Sequence, residues 1–493
     1  MSSTYPAYSS SGAGAVPASA AGVRPGLPLG AVVAMSCLAQ FMVVLDSAIV
    51  TLALPQMRAG LGLSASEQQW VLSGYLITLG GFLLLAARAG DLFGRKRLFL
   101  FGAAVFTAAS LVGGLAADPA MLLAARVVQG AGAAALAPTS LSLITATHTG
   151  EQQRRRALTL WSIMGGLAGV AGIVLGGVLT AELNWRWVLF INVPLGVALL
   201  AATLAALRPA PHPARAGRMR LDVVGAVTAT LGIGALTYGL SQASASGWGS
   251  PGVVAGLVCA GVLLAAFAVV EATGSRPLIP PALFRLRGLS AGNLLMLCMG
   301  ATMTSAFFFL SLYLQEALGY SALRAGLAML PTTVMMIAGG LASSRLIPVV
   351  GPRLLLSAGA LVTAASLVWL TGLPPHPAYL AHILGPALLA GAGMSLMLLP
   401  ATLSGTNGVP VKDAGAAAGL LNSSRQVGGA LGLAALVNIA ATATRDDAAH
   451  AGYAGSLVHG YHVAFGVNAV IMAAAALVAV ALPGAARRSP KDA

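Results

Sequence analysis

Charge is scarce in this sequence: 8 % of its 493 residues are charged, where an ordinary soluble domain carries about 25 %. So few charges exclude a soluble protein of this size, because most of its surface would face water uncovered. Hydrocarbon lipid has to cover it instead. Acids are scarcer still, 13 against 27 Lys and Arg. Cysteine is limited to Cys37, Cys259 and Cys298, each inside an apolar run and without CxxC or metal-ligand spacing. They read as packing residues. The seven histidines lie in loops or near helix ends, and no Walker loop, HExxH or nucleophile elbow is present. These absences argue against an ATP-driven pump and a membrane enzyme, and leave no expected cofactor. Residues 1–28 are rich in Ser, Ala, Gly and Pro and lack the basic-then-apolar order of a signal peptide. They read as a disordered cytoplasmic tail, with the first spanning helix as an uncleaved insertion signal.

Long apolar runs, by contrast, are plentiful. A spanning helix needs about 20 apolar residues. The sequence offers fourteen runs: 31–54, 70–89, 98–116, 120–143, 157–180, 187–207, 221–243, 251–271, 290–314, 325–344, 354–372, 380–404, 415–441 and 461–484. They are too long for barrel strands and lack strand alternation. With the N-terminus inside, 21 of the 27 basic residues fall on inside segments. Only Arg58, Arg186, Arg324 and Arg445 fall outside, and Arg126 and Arg425 lie within spans. This bias supports cytoplasmic N- and C-termini and an even number of spans. It also explains the net charge of +14 as a topology signal, which argues against nucleic acid as a partner.

The sequence repeats itself. TAASLV occurs at 107–112 and again at 363–368, and QGAGAAALAP (129–138) resembles AGAGMSLMLLP (390–400). The offsets, 256 and 261, pair spans 1–6 with spans 9–14. The expected architecture is an all-α integral membrane protein of two six-helix bundles plus two inserted linker helices, fourteen transmembrane helices in total. Its segments would be a cytoplasmic tail (1–28), an N-terminal bundle (29–207), a linker with two helices (208–287), a C-terminal bundle (288–484) and a tail (485–493). The repeat is asymmetric, since Ala387 stands where the first half has Arg126.

Ionisable groups inside a membrane are costly and mark function. Asp46 alone among the acids lies deep within a span. It sits fifteen residues from the inner end of helix 1, roughly 22 Å up, and Arg126 lies roughly 9 Å down from the outer end of helix 4. Both therefore fall in the outer half of a core about 30 Å thick. Two readings stand: a static ion pair holding two helices, or a carboxyl group that alternates between proton-bound and paired states. Gln129 shares the face of Arg126. The loop ARAGDLFGRKRLFL (87–100) carries Asp91, Gly94, Arg95, Lys96 and Arg97, and reads either as a positive-inside hairpin or as a charge latch between helices. Small residues including Gly172, Gly176 and Gly177 permit close helix packing on helix 5. Arg425 lies near the midplane of helix 13 without a deep acid in its half, and either bonds backbone carbonyls or faces a central cavity. Gln40, Tyr75, Gln129, Trp161, Asn293 and Asn422 are further candidates for a substrate cavity.

Several of these segments together resemble the fourteen-helix drug:proton antiporter branch of the major facilitator superfamily, the EmrB/QacA type, over about 31–484. They are LDSAIVTLALP (45–55), RAGDLFGRKR (88–97), RVVQGAGAA (126–134), WRWVLFINVPLG (185–196) and YLQEALGYSALRAGLAMLP (313–331). The resemblance implies Asp46 as a proton-coupling acid, Arg126 as its partner in proton transfer, and Asp91 with Arg95 as a gating latch. It implies efflux of small amphipathic organic compounds, multidrug or antibiotic, across a bacterial plasma membrane. The transport unit would be a monomer driven by the proton gradient. Two positions depart from the family pattern. Ala87 replaces the first glycine of the loop motif, and the helix-5 antiporter motif, normally Gly-Pro, reads Gly172-Ile173. The second change leaves a proton-coupled importer on the same fold as an alternative, and a non-transporting membrane sensor is a further one.

Overall fold

The computed structural model describes residues 23–25, 29–147, 150–209, 222–274, 281–374, 378–410 and 413–481. Fourteen helices long and apolar enough to span a membrane run through these residues. They are α1 (Gly30–Leu61), α2 (Ala65–Gly90), α3 (Arg95–Gly114), α4 (Pro119–Thr147), α5 (Glu151–Glu182), α6 (Trp187–Ala205) and α7 (Val223–Ser246). After these come α8 (Pro251–Thr273), α9 (Arg287–Ala317), α10 (Ala322–Val350), α11 (Pro352–Leu370), α12 (Tyr379–Thr406), α13 (Ala414–Asp447) and α14 (Gly455–Ala481). Helical hydrogen bonding continues across the last two spans, yet a Cβ on Gly460 would lie 2.6 Å from the Ala440 carbonyl oxygen. Twenty residues of straight helix would hold those groups roughly 30 Å apart, so the chain reverses between α13 and α14.

Local chemistry sets the helix starts. Ser64 and Glu67 form a reciprocal capping box on α2. Asp222, Ser250 and Ser321 accept from the first turns of α7, α8 and α10, and Pro251 occupies the first turn of α8.

Backbone geometry reveals the internal repeat in a form the letters do not. Glycines at positive φ pair at one spacing: Gly62 (+68°) with Gly319 (+64°), and Gly94 (+93°) with Gly351 (+82°), both 257 residues apart. Each closes a turn that a residue with a Cβ adopts only under strain. Close approaches repeat in the same way. A Cβ on Gly132 would lie 2.7 Å from the Phe106 nitrogen, and one on Gly393 would lie 2.7 Å from the Thr363 nitrogen. Gly130 meets the Tyr75 carbonyl as Gly391 meets that of Thr332. The packing register of α1–α3 against α9–α11 is thus 257, not the 256 of the TAASLV strings. One residue turns a helix face by about 100°, so Thr363 is the counterpart of Phe106 and not of Thr107. The α4 offset of 261 stands. Because these glycines face backbone, Gly132→Val should cost about 3 kcal/mol by overpacking. Gly340→Val, with nothing within 4 Å of its Cβ position, should leave recovery of monodisperse protein in detergent unchanged.

Within the halves, α1 packs on α5 and α2 on α4, as α9 packs on α13 and α10 on α12. The halves meet along two seams, α2 against α13 and α5 against α10. The inserted α7 lies beside the first seam. Its Ser241 accepts from Trp70 of α2 (3.1 Å), and its Leu240 carbonyl accepts from Asn438 of α13 (2.9 Å). The first linker helix therefore touches both halves and does not merely join them, and α8 is left largely to the lipid, 11 % of its window being buried.

One expectation needs correction. Within the stretch read as a disordered tail, Val23–Pro25 pairs antiparallel with Leu207–Pro209, so these three residues hold a short ladder beside the end of α6. The rest of 1–28, the linker residues 210–221 and 275–280, and the tail from 482 lie outside the described residues.

Candidate functional site

The deep acid and the deep arginine meet. Arg126 Nη1 donates to Asp46 Oδ2 at 2.6 Å, and both side chains are 0 % exposed. Five helices of the first half supply the enclosure. From α4, one turn past Arg126, Gln129 Oε1 accepts from the same Nη1 (2.6 Å) and its Nε2 donates to Asp46 Oδ1 (2.7 Å). That Nε2 also donates to Ser110 of α3 (2.7 Å). From α6, Asn192 Nδ2 donates to Asp46 Oδ1 (2.9 Å). From α2, the Val71 carbonyl accepts from Arg126 Nε (2.9 Å), and the Tyr75 ring lies 4.5 Å from the guanidinium carbon. The carboxylate thus receives N–H donors from three side chains, two of them neutral amides. Two atoms in the same enclosure remain unpartnered, Arg126 Nη2 and Asn192 Oδ1.

Tyr75 and Gln129, expected as cavity residues, are each 1 % exposed and lie against the ion pair. The remaining cavity candidates fall into two groups. Gln40 on α1 lies beside Gly165 of α5, and Trp161 donates to Ser140 of α4 (3.1 Å). In the second half, Ser424 donates to Asn293 (3.0 Å), and Arg425 donates to Asn422 (3.0 Å).

Asn192 and Ser110 were absent from the candidates read in the sequence. Asn192 carried a usable signal, an amide inside the apolar run WVLFINVPLG. Ser110 carried none, since hydroxyls recur on every span and most bond their own backbone, as Ser305 and Thr363 do.

At the turn after α2, Gly94 takes φ +93° and Arg95 Nη1 donates to the Ser142 carbonyl of α4 (3.2 Å), inside its own half. Arg97 is exposed. The side chain of Asp91 lies outside the described residues. The small face of α5 divides: Gly172 and Gly176 fit against Leu45, Ala48 and Ile49 of α1, while Gly177 meets Leu323 of α10 across the seam. Ile173, at the position where the antiporter motif has proline, turns its carbonyl onto Gly326 of α10.

The halves are also tied at the side opposite the Gly94 turn. The end of α9 widens into a π-turn over Tyr313–Ala317, a distortion frequent at functional sites. From it Gln315 donates to the Leu52 carbonyl (3.2 Å), Ser311 just before it donates to the Thr51 carbonyl (3.3 Å), and Glu316 lies 3.7 Å from Arg58. The last pair is partly exposed, and such a pair contributes about 1 kcal/mol or less.

Two six-helix halves with a charge pair sealed inside one of them define an integral-membrane carrier that works between two arrangements of its halves. The chain belongs to the Major Facilitator Superfamily, whose model matches residues 36–433. The cephamycin export protein CmcT of Amycolatopsis lactamdurans is 44 % identical, over 92 % of this chain and 93 % of its own length. The puromycin resistance protein pur8 of Streptomyces alboniger is 40 % identical, over 88 % of each. Among solved structures, the peptide transporter POT in complex with sulfate superposes with a TM-score of 0.67 at 17 % identity, covering 94 % of this chain and 96 % of that one. It shares the fold.

Proposed function

We propose that this protein exports small amphipathic organic compounds of the antibiotic type by exchange for protons, and that Asp46 is the proton-binding group. The sealed network of Asp46, Arg126, Gln129 and Asn192 carries this reading. A buried pair is weak as a source of stability, and Asp46 has around it the parts a two-state carboxyl requires. In the ionised state it accepts from three donors. In the protonated state it must donate, and Asn192 Oδ1 is an acceptor with no other partner, reached by turning the amide over. Arg126 then keeps the Val71 carbonyl and the Tyr75 face while its charge attraction to Asp46 is gone. Those groups come from four helices, so protonation changes how the first half is braced, and the brace is what rocking of one half against the other would use.

Relatives named for export support the direction of transport: the cephamycin export protein at 44 % identity and a tetracenomycin C resistance and export protein of Streptomyces glaucescens at 36 %. The bias of basic residues supports both termini in the cytoplasm, and the export proteins this chain resembles are bacterial. Proton-coupled uptake on the same fold is the second reading, favoured by Ile173 in place of the antiporter-motif proline.

The test is purified protein in liposomes with a pH-sensitive dye trapped inside, an imposed proton gradient, and a panel of lipophilic cations and antibiotics. Exchange predicts that a substrate runs the proton gradient down while the substrate moves the opposite way. Substrate and protons moving in the same direction would establish uptake instead. No substrate-dependent proton signal with any compound would remove the coupling reading.

A further inference from the structure

The second half holds a cation that no acid among the described residues neutralises. Arg425 makes one hydrogen bond, from Nη2 to Asn422 Oδ1, and no ion pair among the described residues. It lies eleven residues into α13, roughly 16 Å along the axis, and helical side chains lean toward the helix start. Its guanidinium therefore sits level with Asn422, still within a hydrocarbon core about 30 Å thick. Arg126 shows how this chain settles a buried guanidinium, with a carboxylate, an amide oxygen and a carbonyl. Arg425 has an amide oxygen alone and is half-buried, so part of its surface remains accessible.

The surroundings of Arg425 are built from donors. Asn422 spends its oxygen on Arg425, which leaves its Nδ2 hydrogens outward. Arg425 and Asn422 therefore present N–H groups and have no free acceptor. A lipophilic cation meets repulsion there. A carboxylate meets a planar fork with matching geometry and the Asn422 amide beside it. The place is also shared between the halves: Ser423, between Asn422 and Ser424, donates to the Gly80 carbonyl of α2, and Gln426 packs on the same glycine. A ligand bound to this turn of α13 sits where the two halves touch.

We propose that Arg425, with Asn422, is the subsite for the carboxylate of an amphipathic substrate, so that the protein selects organic anions over organic cations. The proposal rests on the reading of the protein as a carrier of organic compounds, but not on proton coupling, and equilibrium binding without a gradient tests it separately.

The probes are dansyl-phenylalanine and its neutral amide, titrated by fluorescence into full-length protein in nanodiscs of phosphatidylcholine. Wild type should bind the carboxylate at least tenfold more tightly than the amide. Arg425→Gln should bring the two to equal affinity, and Arg425→Lys should keep part of the preference. Asn422→Asp places a carboxylate against Arg425 and should abolish the preference while the amide still binds, which reports a folded cavity. Equal binding of the two probes by wild type, no carboxylate binding at all, or a preference that survives Arg425→Gln each overturns the proposal. A loss of carboxylate affinity when phosphatidylglycerol is added, absent in Arg425→Gln, would assign the subsite to an anionic lipid headgroup and also overturn it.

Discussion

Asp46→Asn should leave a carrier that equilibrates its substrate but no longer concentrates it. The carboxamide has nearly the shape of a protonated carboxyl group, and its oxygen can still accept from Arg126, Gln129 or Asn192, the three donors now serving Asp46. What it cannot do is gain or lose a proton. One charge moved through a potential of 100 mV is worth about 2.3 kcal/mol, which corresponds to roughly a fifty-fold substrate gradient. In liposomes under that driving force, wild type should approach such a ratio for a neutral substrate exchanged for one proton per cycle, and Asp46→Asn should settle near unity while unlabelled substrate still exchanges with labelled. Asp46→Glu should recover part of the gradient, since the proton site returns with its oxygens displaced. A mutant that still accumulates substrate against its gradient would move the proton site elsewhere.

The second large effect falls on stability. Arg126→Gln removes the cation from a carboxylate that is fully buried, and it also removes the donor to the Val71 carbonyl. Breaking a buried pair from one side costs about 3–5 kcal/mol, because the other charge is left unpaired in a medium that solvates it poorly. Arg126→Gln should therefore unfold at clearly lower temperature in detergent than wild type. Asp46→Asn combined with Arg126→Gln should be more stable than Arg126→Gln alone, since the stranded charge is gone. The cycle isolates that coupling, expected at about 2 kcal/mol or more for contacting buried charges. Strict additivity would show that the two groups are held apart in the membrane.

The contrast between Arg126 and Arg425 bears on the two halves. Both descend from one repeated unit, as the 257-residue register of the turn glycines shows, and position 387, the counterpart of Arg126, is a buried alanine. The first half keeps its two deep charges paired and sealed, and the deep Arg425 of the second has no ion pair among the described residues. In the proposed function this is a division of labour between a proton site and a ligand site, joined where α13 meets α2.

Much of this was legible in the residues themselves. Fourteen spans follow from run length, because a helix crossing hydrocarbon must be apolar along its whole length. Asp46 and Arg126 stood out for the same reason, a charge at depth being too costly to keep without a use. The doubling of the six-helix unit survived in two short strings. What the letters left undecided is what depends on rotation about helix axes and on contact between distant spans. Tyr75 and Gln129 are polar residues on spans, equally suited to a cavity or to a sealed cluster, and the packing of α2 and α4 against α1 sent both to the cluster. Gly172 and Gly177 look alike in sequence and face different partners. Ser110, through Gln129, and Asn192 directly join the Asp46 cluster from 64 and 146 residues away. Composition and run length determine that this chain lies in a membrane, how often it crosses and which charges are worth asking about, because the bilayer acts on each residue singly. Which side chains close around Asp46, and which leave Arg425 open, was decided by the tertiary structure, because hydrogen bonds between helices depend on faces and distances that no single span contains.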